Sequence, residues 1–253
     1  MSFIASRDNP RVRRWRTLTR DARERRKQQR AMIEGENLIS AFLQSGKKVE
    51  NLILSKTGSS NAAFIALTKR SGKPATVLAD LVFRSIAETD SPDGIAAEIA
   101  LPGAPFDPKS SAGCVFLERV QDPGNVGAIL RLCQGFNASA LLVESADVTS
   151  PKVVRSSAGA LFSVPWIDVA RGDASAVIKT FDRGVYRLER KDDAKAITTI
   201  SIEDPIVLIV GSEGQGIHLD VDGTSVMIAH DPALESLNVG HALAIALFLR
   251  SRF

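Results

Sequence analysis

Three short stretches of this chain hold the residue types that do chemistry. Asp122-Pro123-Gly124-Asn125-Val126-Gly127 runs on to Arg131. Gly211-Ser212-Glu213-Gly214-Gln215-Gly216 is a glycine-rich turn, and Glu235-Ser236-Leu237-Asn238-Val239 opens the last apolar run. The first two place Gly and polar residues straight after a strand-like apolar run, where parallel sheets build ligand-binding turns. The third sets an acid, a hydroxyl and a carboxamide at the mouth of a helix-like stretch, Val239 to Phe253. Such side chains can cap the helix, line a site, or do both. Each glycine cluster alone is more often a tight turn than a site. Three polar turns on one sheet point to a pocket.

Several chemistries are excluded. No G-x-x-x-x-G-K-[ST] cradle for phosphate is present, and Gly211-x-x-Gly214-x-Gly216 has the wrong order for a dinucleotide fingerprint. With two cysteines, Cys114 and Cys133, and three histidines, no common zinc spacing exists, so no metal is expected. Both cysteines read as small buried residues. No apolar run reaches the roughly 18 residues of a membrane span. The Arg-rich start lacks the apolar segment of a secretory signal, and Asp8, Asp21 and Glu24 argue against a mitochondrial presequence. Cytoplasm is the expected compartment.

The elements that must position these stretches alternate between helix and strand. Glu36 to Gln44, Ala62 to Arg70 and Leu81 to Ala87 read as helices, with strands at Val49 to Leu54, Thr76 to Leu78 and Gly94 to Leu101. The segment 102–112, rich in Pro and Ser, reads as a linker. The second half begins afresh with strand Cys114 to Glu118 and helix Asn125 to Phe136. Strands Ala140 to Val143 and Val164 to Val169 follow, with a helical piece, Lys152 to Leu161, between them. Helix Ala174 to Phe181 precedes strands near Val185 to Leu188, Ile206 to Val210 and Ser225 to Ile228. Near-continuous Val/Ile/Leu strands separated by helices predict a parallel sheet covered on both faces.

Net charge is +3, unevenly spread. Arg7 to Arg30 holds eleven basic and three acidic residues, a local net of +8, which leaves −5 for the rest. This basic helix suits a polyanion, and Arg11, Arg13, Arg14, Arg16 and Arg20 are the candidate RNA contacts. Trp15 stands among them and could stack on a base. Val12, Trp15, Leu18 and Ala22 also recur at helical spacing, which would make Trp15 a core anchor.

Asp122 to Arg131, Ile209 to Ile217 and Glu235 to Val239, taken in order, closely resemble the three motifs of the SpoU (TrmH-like) RNA methyltransferases of the SPOUT superfamily. Ser150 to Phe162 is similar to the stretch between that family's first two motifs, so the resemblance covers most of Gly113 to Phe253. Asn9-Pro10-Arg11-Val12, the basic helix and Ile33-Glu34-Gly35-Glu36 are similar, more weakly, to its N-terminal substrate-binding domain. Two departures stand out. Gly240, followed by His241, replaces the usual small hydroxyl residue, and Ile228-Ala229-His230 replaces a common Ile-Pro-Met.

The resemblance implies an α/β protein whose C-terminal trefoil-knot (SPOUT) domain, 113–253, has a parallel sheet. A smaller α/β RNA-binding domain, 1–101, and the linker 102–112 precede it. It implies a homodimer through the C-terminal domain and S-adenosylmethionine as cofactor. The reaction would be methyl transfer to a ribose 2′-hydroxyl of structured RNA, ribosomal RNA favoured over transfer RNA. A transfer-RNA enzyme and a non-catalytic RNA-binding relative are the alternatives. Carried over by position, Val210, Gly211, Ile228, Leu237 and Asn238 would contact the cofactor. Asn125, Arg131, Glu213, Ser236 and Asn238 would form the catalytic set, and Arg155 would contact RNA or support its turn. Arginine is effectively always protonated, so Arg131 is expected to hold phosphate and stabilise a developing alkoxide while the proton leaves elsewhere. The bland alternatives are an N-cap for Asn125, a surface position for Arg131 and a cap for Ser236.

Overall fold

The basic stretch is two helices, because Asp21 interrupts it. In the computed structural model, which describes residues 2–101, 106, 113–201, 204–212, 214–231 and 233–251, α1 (Pro10–Arg20) ends at Asp21. The Asp21 carboxylate then accepts from the amides of Arg23 and Glu24, at 2.8 and 3.3 Å, and starts α2 (Ala22–Gln28). Gln29, left-handed at φ 53°, closes α2, so Arg30 belongs to the next strand and not to the helix.

The chain folds as two compact units, Met1–Pro102 with Asp147–Phe162, and Gly103–Ala146 with Ser163–Phe253. The first holds β1 (Ser2–Ile4), β2 (Arg30–Glu34), α3 (Glu36–Gln44), β3 (Asn51–Ser55), α4 (Ala62–Ser71), β4 (Thr76–Leu78), α5 (Asp80–Ile86) and β5 (Ile95–Ala100). Its sheet runs β1-β4-β3-β5-β2, parallel from β1 to β3 and antiparallel from there to β2. Val12, Trp15 and Leu18 turn from α1 into its core beside Val82, Phe83 and Ile86. Trp15 is fully buried, and its indole N–H donates to Glu98 at 2.9 Å. It is therefore a core anchor, and a base cannot stack on it.

Asp147–Phe162 packs with this first unit, where a division by sequence alone runs it with the rest of 113–253. Arg25 is the reason on one side. Its side chain is 4% exposed, and its guanidinium binds Asp147 Oδ2 at 2.6 Å, Thr149 Oγ1 at 3.1 Å and the Leu18 carbonyl at 3.1 Å. On the other side Phe162 meets Phe42 edge to face at 5.0 Å. Between them α7 (Pro151–Ser156), capped by Ser150, packs on β2, and Arg155 ion-pairs with Glu88. The helix predicted for Lys152 to Leu161 is thus α7 followed by a 3-10 turn at Ala160–Phe162.

The second unit contains β6 (Gly113–Glu118), α6 (Pro123–Gly135), β7 (Ala138–Val143), β8 (Trp166–Asp168), α8 (Ala174–Lys179), β9 (Gly184–Leu188), β10 (Lys195–Ala196), β11 (Ile206–Val210), β12 (Thr224–Met227) and α9 (Val239–Leu249). Its sheet is β10-β12-β9-β11-β6-β7-β8, parallel throughout. Central β11 is buried at every residue, as an unbroken Ile/Val/Leu run requires. Val210 pairs with Leu188 of β9 and Leu117 of β6, and Val226 pairs with Leu188. This register brings the carboxyl ends of β12, β9, β11 and β6 to one edge of the sheet. Cys114 and Cys133 are buried and free, and burial pushes the Cys114 thiol up to about 12. Of the expected linker only Phe106 is described. It packs its ring on Phe181 at 5.8 Å.

Candidate active site

Three loops leave that sheet edge and surround a cavity of about 390 Å³. Leu188 to Lys191 follow β9, Val210 to Ile217 follow β11, Met227 to His230 follow β12, and Glu235 to Leu237 lead into α9. Ligand cavities commonly measure roughly 300–1,000 Å³. Of the residues singled out by sequence, Val210, Gly211, Ile228, Ser236 and Leu237 line it.

Gly211 is there because nothing larger fits. A Cβ at that position would stand 2.2 Å from the carbonyl oxygen of Gly216. The loop folds back so tightly because the Gly216 amide donates to the Ser212 carbonyl at 2.9 Å, with Gly216 left-handed at φ 70°. Glu213 lies outside the described residues.

Beyond the loop, the chain is clamped from two strands. Glu118, fully buried at the end of β6, accepts from the amides of His218 and Leu219 at 2.8 and 2.9 Å and ion-pairs with Arg171 at 2.6 Å. Arg187 of β9 donates to the carbonyls of Leu219 and Val221, each at 3.0 Å. A second arginine holds the third motif: Arg190 donates to the carbonyls of Leu234 and Glu235 at 3.2 and 3.4 Å. Sequence reasoning missed all of these. The one available signal was charge closing an apolar strand, Glu118 after Leu117 and Glu189-Arg190-Lys191 after Leu188.

Glu189 lines the cavity and is 10% exposed. Burial alone would raise its carboxyl, but hydrogen bonds from Ser225, Lys191 and Arg187 outweigh it and hold the group below the usual range. It is ionised at neutral pH. His230 lines the same cavity. Its Nδ1 donates to the Ile228 carbonyl at 2.8 Å, and Nε2 is buried with no partner among the described residues.

Asn238 resolves the choice between cap and site in favour of both. Its Oδ1 accepts from the amides of Gly240 and His241 at 2.9 and 3.3 Å, which makes it, not Ser236, the N-cap of α9. Its Nδ2 is then left to donate to Asn125 Oδ1 at 3.1 Å. Asn125 is not a cap either, since Asp122 caps α6 and accepts from the Asn125 amide at 2.8 Å. The first and third motifs therefore meet through two carboxamides, and α6 packs on α9. Asn125 lines a smaller cleft of about 180 Å³ with Arg119 and Asp122, which shares Ser212, Gly214 and Val239 with the main cavity. Arg131, exposed on α6, lines neither and has no hydrogen-bond or ion-pair partner among the described residues.

The arginines of α1 separate into two groups. Arg14 binds Glu98 and Gln28, and Arg11 bonds Asn51 and Thr76 while lying 4.9 Å above the Trp15 ring. Arg13, Arg16 and Arg20 have no such partners among the described residues, and Arg13 and Arg20 are exposed. Arg155 is committed to Glu88.

Residues 113–248 match the SpoU rRNA methylase family. The chain belongs to that family. Residues 9–97 match the MRM3-like substrate binding domain. An uncharacterized tRNA/rRNA methyltransferase of Synechocystis sp. is 30% identical to this SpoU chain, over 98% of it and 93% of the relative. The 23S rRNA (guanosine(2553)-2′-O)-methyltransferase of Bacillus subtilis is 27% identical, with 98% of each chain covered. Among solved structures, the AdoMet-bound rRNA methyltransferase of Sinorhizobium meliloti matches with a TM-score of 0.84 at 25% identity, over 98% of this chain and 97% of that one. The SpoU chain has the expected fold class, a parallel α/β sheet unit and a smaller α/β unit. Among its described residues no helix is long and apolar enough to cross a membrane, and no cluster of His, Cys, Asp or Glu could hold a metal.

Proposed function

We propose that this protein transfers a methyl group from S-adenosylmethionine to a ribose 2′-hydroxyl of ribosomal RNA. The observation that carries the reading is the Asn238–Asn125 hydrogen bond, which couples the edge of the glycine-walled cavity to the helix of Arg131. The residues fit the methyl donor: a turn closed to any side chain at Gly211, the apolar surfaces of Ile228 and Leu237, and the ionised Glu189. When bound, S-adenosylmethionine supplies a methyl group on a sulfonium that is already a good leaving group, so no metal is needed.

The chain's own residues do the rest. Val210, Gly211, Ile228, Leu237 and Asn238 hold the donor. Asn125, with Asn238 and Ser236, orients the ribose. Arg131 holds a phosphate and stabilises the oxygen as negative charge develops on it, and Glu213 fixes Arg131 or nearby amides. Arg13, Arg16 and Arg20 grip the RNA backbone. In this reading 1–101 grips RNA, 102–112 links, and 113–253 is the knotted catalytic domain of a cytoplasmic homodimer. Ile245, Phe248 and Leu249, exposed on α9, supply an apolar face for that dimer; Phe248 is 61% exposed.

The test is methyl transfer from labelled S-adenosylmethionine to ribosomal RNA, with the 2′-O-methyl position mapped. Wild type should modify a defined ribose and Arg131→Ala should not. Absence of any newly methylated ribose with wild type sinks the reading.

A further inference from the structure

Glu189 is bonded through one oxygen only. Its Oε1 accepts from Arg187 Nε at 3.0 Å, Ser225 Oγ at 2.7 Å and Lys191 Nζ at 2.9 Å. Its Oε2 accepts nothing from the described residues, yet the side chain is nine-tenths buried and lines the cavity beside Gly211 and Leu237. An ionised carboxylate oxygen that faces the cavity without a protein donor is left to water or a ligand, and a ligand that brings a donor can take the water's place. A cationic donor does so best, because charge-assisted hydrogen bonds are roughly twice as strong as neutral ones. Saturation of Oε1 leaves a single oxygen to give. That suits one ammonium better than the two adjacent hydroxyls of a ribose, which engage both oxygens of a carboxylate.

We propose that Glu189 receives the α-ammonium group of the methyl donor on Oε2. The inference rests on the methyl-donor reading of this cavity and adds to it a side chain that recognises the amino-acid end of the ligand. Arg187, Ser225 and Lys191 are positioning residues here. They fix the carboxylate so that its second oxygen faces the ligand.

Calorimetry with three ligands tests this: S-adenosylhomocysteine, its deaminated analogue, and 5′-methylthioadenosine, which lacks the amino-acid portion. Wild type should bind S-adenosylhomocysteine at least tenfold more tightly than the deaminated analogue. In Glu189→Gln the amide oxygen must face the three donors, so its NH2 replaces Oε2 and opposes an ammonium. The variant should lose at least tenfold for S-adenosylhomocysteine and bind 5′-methylthioadenosine as wild type does, which also certifies its fold. Equal loss for both ligands, or a wild type indifferent to deamination, overturns the proposal and leaves the methyl-donor reading intact. A wild type that binds none of the three overturns that reading as well.

Discussion

Asn238 donates to Asn125 across 113 residues of sequence, through a carboxamide whose oxygen is already capping α9. The two roles need opposite ends of the group, so substitutions can separate them. Asn238→Asp keeps the capping acceptor but sets an acceptor against Asn125 Oδ1. Asn238→Ala removes both. We expect Ala to cost about 1 kcal/mol of stability by urea unfolding, the usual worth of an N-cap, and Asp to cost less. Both should lose most methyl transfer. An Asp variant with wild-type activity would show that the link to Asn125 is dispensable.

Gly211→Ala cannot be accommodated without moving the Gly216 backbone, because the added carbon would lie 2.2 Å from a carbonyl oxygen. The expected result is loss of S-adenosylhomocysteine binding by calorimetry, with far-ultraviolet circular dichroism unchanged. Gly214→Ala, where nothing lies within 4 Å of the new carbon, should bind normally.

The arginines of α1 should respond in two ways to alanine. Replacing Arg13, Arg16 and Arg20 together should leave thermal stability unchanged. It should flatten the salt dependence of RNA binding, the slope falling by about 0.7–0.9 for each phosphate no longer neutralised. Replacing Arg14 should instead lower the melting temperature, because Glu98 and Gln28 lose a partner.

Arg25→Met should cost on the order of 3 kcal/mol, because it removes the close ion pair of Asp147 and leaves it only Thr149 and Arg26, the latter 3.9 Å away. Hydrogen exchange would localise the damage. Amides of Asp147–Phe162 should exchange faster, while those of β6 and β11 keep their protection.

Asp147 also sets a pH dependence. Burial alone would raise its carboxyl, but hydrogen bonds from Thr149 and Arg25 prevail and hold it below its ordinary value of 3.8. A depressed carboxyl contributes stability that is complete above the ordinary value and is lost as pH falls through the folded one. The urea midpoint of wild type should therefore decline below pH 3.8 more steeply than that of Asp147→Asn.

What could be read before folding was local. The runs 113–118 and 206–210 announce buried parallel strands, and Asn238 before an apolar run announces a cap. Spacing also suggested that the three polar turns share an edge, since strands wound in parallel end on the same side. The clamps were not legible, because Glu118 meets the amides of His218 and Leu219 about a hundred positions away and Arg187 reaches carbonyls more than thirty away. Periodicity told that Trp15 could face inward, but not that Glu98 would receive its N–H. Nor could it tell which unit 147–162 would join, since an apolar face fits any complementary surface.

Membership of Asp147–Phe162 in the first unit bears on how the chain matures during synthesis. A ribosome that has released residues 1–102 has not yet supplied the aspartate that Arg25 binds or the ring that meets Phe42. Those arrive only after β6, α6 and β7 have emerged, so the first unit stays unfinished while the second has begun. A fragment cut at the linker would keep its own sheet yet bear an uncovered Arg25 and Phe42. The amino-terminal unit is thus the first to be started, yet it waits for residue 162 before it can close, with part of the second unit already made.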